Sequence, residues 1–173
     1  MAVLEIVKYP DPCLRKKCSE VKEITDEVRT LVDDMVETMY HAPGLGLAAP
    51  QVGSSLRIIV IDVGGDEDTG REAKLYKIIN PIIVKKDGWT DSEEGCLSIP
   101  SIRDSIKRFS QVVVGGLDEH GKTIEIDADG LLAFCLQHEI DHIDGVLFID
   151  HLSRLKQELV KAKLAKLARC PEE

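Results

Sequence analysis

The sequence predicts an α+β fold, with antiparallel β-sheets packed around a central helix and a further helix towards each end of the chain. Three observations carry this expectation. Apolar residues recur at helical spacing between Ile24 and Tyr40. The middle third is rich in β-branched runs broken by Gly, Pro and Asn. The stretch DGLLAFCLQHEIDHIDG, from Asp129 to Gly145, is apolar on nearly every face, as a helix enclosed by a domain must be.

In the first helix Val28, Leu31, Val32, Met35, Val36 and Met39 form one stripe, and Thr25 or Asp26 is placed to cap its start. It stops at His41, before Pro43 and the glycines of GLGLAAPQVG, where Gly44, Gly46 and Gly53 allow tight backbone paths that no helix takes. Leu56 to Asp62, LRIIVID, reads as a buried strand, and the polar VGGDEDTGRE after it reads as a connection. LYKIINPIIVKK follows as a strand in which Asn80 and Pro81 demand an edge or a bulge, because proline has no N–H for a ladder. QVVVGGLD and KTIEID, separated by the turn-like DEHGK, predict a hairpin. Asp129 is the expected cap of the central helix and Gly145 its stop. A last helix spans about Ser153 to Ala168, with Leu152, Leu155 and Leu159 as its expected buried stripe.

At 173 residues and 43% hydrophobic, without a repeat or a dividing linker, the chain is expected to form a single globular domain over residues 1–173. Its formal charge of −9 argues against general nucleic-acid binding, since phosphate contacts need a cationic surface. The start, MAVLEIVKYPDPCLRKK, lacks the apolar core of a signal peptide, and no apolar run reaches membrane-spanning length. A soluble cytoplasmic protein is expected. The five cysteines, Cys13, Cys18, Cys96, Cys135 and Cys170, are odd in number and contain no C-x-x-C pair, so neither a disulfide framework nor a zinc ribbon is indicated.

Chemistry is concentrated in HEIDH. With about 3.6 residues per turn, His138 and His142 share one helix face and both imidazoles can reach one metal ion. Glu139 sits about 100° round the helix, suited to take a proton from water beside that ion without being a ligand. A solvated polar face is the plainer alternative for such a pattern. It fits poorly in a helix that is otherwise buried, where unpaired polar groups cost several kcal/mol. A hydrolytic metal site needs a third protein ligand. His41, His120, His151, several carboxylates and Cys96 are all candidates by residue type, and Cys96 is favoured because Gly95 lets the backbone turn closely beside it.

GLGLAAPQ at 44–51, EGCLS at 94–98 and HEIDH at 138–142 resemble, in order and approximate separation, the three motifs of the peptide deformylase family. The likeness extends to DPCLRKK, the NP at 80–81, ADGLLAFCLQ and GVLFIDHLSRL, and so covers nearly the whole chain. The resemblance implies removal of the formyl group from the N-terminal formyl-methionine of nascent polypeptides, with release of formate. It makes the central helix a metal-binding one, with Cys96, His138 and His142 as ligands and Glu139 as general base and then acid. It assigns stabilisation of the formyl oxygen to the Gln51 side-chain amide, the Leu97 N–H and the metal. Leu45 and Gly46 are expected to border the substrate, with Arg103 reaching its peptide portion. Leu131, Phe134 and Cys135 lie within about 60° of His138 on the helix and are expected to wall an apolar pocket for the unbranched methionine side chain.

One divalent ion is implied, with Fe2+ the family's usual choice, while a His/His/Cys set also accepts Zn2+, Ni2+ or Co2+. A zincin endopeptidase shares HExxH but draws its third ligand from downstream, whereas here the fitting Cys96 lies upstream. A binding protein that has lost catalysis would not be expected to keep every residue named for chemistry. The last helix, with Arg154, Lys156, Lys161, Lys163, Lys166 and Arg169, reads as a solvated basic face, and the resemblance implies ribosome docking there.

Overall fold

The structure, a computed structural model describing residues 1–169, contains one five-stranded antiparallel sheet in the order β1-β2-β3-β4-β5. The chain runs through α1 (Asp26–His41), β1 (Gly46–Ala48), β2 (Ile58–Ile61), β3 (Tyr76–Cys96), β4 (Ile99–Leu117), β5 (Thr123–Asp129), α2 (Gly130–Ile143) and α3 (Arg154–Arg169). Cys170 lies outside the described residues.

β2 explains why LRIIVID is apolar without alternation. Ile58 and Val60 pack with Val32, Met35 and Met39 of α1, while Ile59 and Ile61 pack with Leu136, Ile140 and Ile143 of α2. The sheet is thus covered on both faces here, and each fully buried Ile contributes roughly 1.5–3 kcal/mol. The expected hairpin is present, with β4 and β5 in register from Gln111↔Asp129 to Leu117↔Thr123. The irregularity at Asn80 and Pro81 is a bulge: the β3/β4 register shifts between Ile79 and Ile82, and Asn80 adopts φ 54°. Its side chain is held from both ends, accepting from Val21 N–H at 2.8 Å and donating to the Val21 carbonyl at 2.9 Å.

Thr25 caps α1 by accepting from Val28 N–H. Asp129 occupies the corresponding position of α2 but its side chain makes no capping bond, which corrects the expected role; the turn into the helix is made by Gly130 at φ 54°. α2 ends at Ile143, and two residues on, at Gly145, φ is 77° and an added Cβ would stand 2.5 Å from the Arg15 carbonyl oxygen. The expected stripe of α3 is also corrected. Leu155 and Leu159 are 72% and 62% exposed, and the helix is fastened by Val160 and Leu164, which join Leu152, Phe148, Ile99, Ile102 and Ile106 in a buried cluster.

Candidate metal centre

Two elements bring the expected ligands together. α2 presents His138 and His142 one turn apart, and β3 ends at Cys96, just before the two-residue turn Leu97–Ser98 into β4. The ligand atoms of Cys96, His138 and His142 all lie within 4.8 Å of one another, and Cys96 Sγ is 3.2 Å from His142 Nε2. Among the described residues no other group of His, Cys, Asp and Glu meets this closeness. His41 and His120 stand exposed elsewhere, and His151 pairs with Asp141 at 2.9 Å, so none of the rival histidines joins the centre.

The donor set fits a divalent cation. Burial holds the His142 imidazole well below its ordinary pKa, so it is neutral and ready to ligate. Burial pulls His138 the same way, but the Cys96 sulfur and the Glu94 carboxylate outweigh it and hold it well above its ordinary value, so the surroundings favour positive charge at this ring, which a cation beside Cys96 would supply. His138 Nδ1 meets Glu94 Oε1 at 2.8 Å, so that its N–H donates outward and Nε2 keeps its lone pair for the centre.

Glu94 belongs to a buried chain of charges. Its carboxylate accepts from Arg108 Nε and Nη2, both at 2.8 Å, and Arg108 Nη1 donates to Asp141 Oδ2 at 2.6 Å. Burial would raise the Glu94 carboxyl, yet the Arg108 guanidinium and the His138 ring together hold it down to about 2. Glu139 lies in the opposite condition. It is 5% exposed, its Oε2 has no protein partner, and burial pushes its carboxyl up to about 7. Gly46 makes room for it: an added Cβ there would stand 2.8 Å from Glu139 Oε1.

Gln51, which the sequence alone would leave as an exposed loop glutamine, is 1% exposed. Its Oε1 accepts from Ala48 N–H at 2.9 Å, which turns Nε2 towards Ser98 Oγ at 3.1 Å and Cys96 Sγ at 3.6 Å. The expected substrate residues converge as well. Leu45, Gly46, Gln51, Cys96, Leu97, Arg103, Leu131, Phe134, Cys135, His138 and Glu139 all line one cavity of about 460 Å³, a size suited to a side chain and short peptide. His142 sits behind its wall, 1% exposed. Burial pushes the Cys135 thiol up to about 12, so it lines the cavity as a neutral, apolar surface. Arg103 is the loosest member, with its side chain two-thirds exposed and 3.7 Å from Glu93.

Glu94, Arg108, Asp141 and Ser98 carry structure at the site that the sequence reading did not assign. One signal was present. Strand alternation puts Arg108 in phase with the buried Ile102 and Ile106, an inward charge that requires a partner.

Residues 3–158 match the model of the family described as "Polypeptide deformylase". A peptide deformylase of Thermodesulfovibrio yellowstonii is 52% identical over 163 residues, covering 94% of this chain and 97% of its own. The crystal structure of a peptide deformylase from Legionella pneumophila superposes with a TM-score of 0.88 at 46% identity, covering 97% of this chain and 96% of that one. That of Ehrlichia chaffeensis in complex with actinonin gives 0.89 at 42%, covering 96% and 98%. The chain therefore belongs to the polypeptide deformylase family, metal-dependent hydrolases that remove the formyl group from the N-terminal methionine of nascent polypeptides.

Proposed function

We propose that Cys96, His138 and His142 hold one divalent ion, with Fe2+ as the native metal, and that Glu139 moves the protons of the reaction. The observation that carries this is the placement of a buried carboxylate with a free oxygen beside the one tight Cys/His/His cluster of the described residues. A bound cation supplies Lewis acidity, which brings the pKa of water close to neutrality. Glu139 Oε2 accepts the proton of the water that attacks the formyl carbon and later delivers it to the leaving amine nitrogen. As charge grows on the formyl oxygen, Gln51 Nε2 and Leu97 N–H donate to it, and losing one such donor costs about 100-fold to 1000-fold in rate. Leu131, Phe134 and Cys135 receive the methionine side chain. Leu45 and Gly46 border the peptide, and Arg103 contacts its downstream part.

The described chain works as one catalytic domain in the cytoplasm, and no helix of the described residues is long and apolar enough to cross a membrane. The exposed surface of α3, with Leu155, Leu159 and Lys166 on one face and Lys161 on its flank, docks on the ribosome. Truncation after Leu152 would also strip Val160 and Leu164 from the core, so charge reversal is the cleaner test. Lys161→Glu with Lys166→Glu is expected to weaken co-sedimentation with ribosomes at unchanged activity on a free peptide; undiminished binding rejects the docking.

Release of formate from formyl-Met-Ala-Ser, with no cleavage of internal bonds in an unstructured protein, is the expected activity. Protein purified without oxygen should contain iron and lose activity in air as the iron oxidises. Equal activity and metal content after aerobic and anaerobic purification would reject Fe2+.

A further inference from the structure

Residues 2–9 run from α1 to the metal centre in a path fastened by hydrogen bonds. Ala2 N–H donates to Asp34 Oδ1 at 2.7 Å and Leu4 N–H to Thr38 Oγ1 at 2.8 Å, which anchors the segment on α1. Three successive residues then grip two other parts of the chain. Val7 N–H donates to the Gln51 carbonyl at 2.7 Å, Lys8 Nζ to the Leu97 carbonyl at 2.7 Å, and Tyr9 N–H to the Ser98 carbonyl at 2.8 Å.

Gln51 and Leu97 are the two residues given above as donors to the formyl oxygen. Gln51 and Ser98 are 47 positions apart in sequence, so their spacing depends on tertiary contacts. The Leu97 side chain is packed closely against the backbone at Gly44, where an added Cβ would stand 2.7 Å from Leu97 Cδ1. Its carbonyl is held by Lys8. With its side chain and its carbonyl both held, the Leu97 Cα is fixed in place, and its N–H is carried on that fixed atom.

We propose that Lys8 is a positioning residue for deformylation: by holding the Leu97 carbonyl, while its neighbours hold Gln51 and Ser98, it sets the separation of the two formyl-oxygen donors. The proposal rests on the roles given to Gln51 and Leu97. The bonds of Val7 and Tyr9 are backbone bonds that any residue but proline supplies, so Lys8 is the member whose side chain is decisive. Lys8 is exposed and does not line the cavity, so its removal leaves the core and the binding of the ground-state peptide unchanged.

The test compares Lys8→Met, Lys8→Arg and Gln51→Ala on formyl-Met-Ala-Ser, with metal content measured for each full-length variant. Lys8→Met is expected to lower kcat about five- to twentyfold, less than the loss of a whole donor, with KM within about twofold and metal retained. Lys8→Arg, which keeps a cationic donor, is expected to restore at least about half of the lost rate. A Lys8→Met kcat within twofold of the parent, a loss confined to KM, a loss that follows the metal, or an Arg variant no better than Met each overturns the proposal. Gln51→Ala separates the two levels. If it loses about 100-fold or more in kcat while Lys8→Met does not fall, only the role of Lys8 fails. If Gln51→Ala keeps full activity, the donor assignment fails and the role of Lys8 fails with it.

Discussion

Glu94 and Glu139 are two buried carboxylates of one centre, and their surroundings drive them apart. Glu94 has a guanidinium on both oxygens and an imidazole N–H besides, and its carboxyl is held down to about 2. Glu139 has an oxygen without a protein partner, and burial lifts its carboxyl to about 7. The first is locked in its charged form and can only orient. The second can bind and release a proton near neutral pH, which is what acid–base work requires. The helix geometry of HEIDH marks Glu139 in the sequence, but nothing local marks Glu94, whose partner Arg108 lies 14 positions away.

That contrast can be broken by substitution. Arg108→Met is expected to have the largest effect on folding, about 3–5 kcal/mol by denaturant titration, because it leaves the Glu94 carboxylate buried without its cation. A loss under about 1 kcal/mol would mean that Glu94 is not held in the charged form. Gly46→Ala places a methyl against Glu139 and should lower kcat about tenfold to 100-fold with metal retained, readable from formate release and metal analysis. Glu94→Gln should weaken metal affinity about tenfold to 100-fold in a chelator competition, since His138 loses its charged acceptor, while leaving Glu139 able to act on protein reloaded with metal. Leu159→Ser, on the exposed side of α3, should change stability by no more than about 0.5 kcal/mol. A larger loss would show that this face is covered.

Helix periodicity placed α1 and α2 and put both histidines on one face, because those signals are local. The β4/β5 hairpin and the bulge at Asn80 were legible for the same reason, each being written in a few adjacent residues. α3 departs from its expected stripe because it carries apolar residues on two sides. Periodicity finds both Leu155/Leu159 and Val160/Leu164 but does not say which one a neighbour covers. The charge network was hidden by distance along the chain, Glu94 lying 14 positions from Arg108 and 44 from His138. Gln51 and the cavity residues came from family resemblance, and their convergence on one cavity depends on contacts between segments that no local pattern records.

Glu139 acts as a proton carrier that is not a ligand, and this role can be tested directly. Glu139→Gln keeps the size of the side chain and removes its basicity, so metal content and formate release from the same preparation separate the two roles. The expected result is a full complement of metal with kcat lowered about 100-fold to 10,000-fold. Metal lost in proportion to activity, or turnover close to that of the parent, would contradict it.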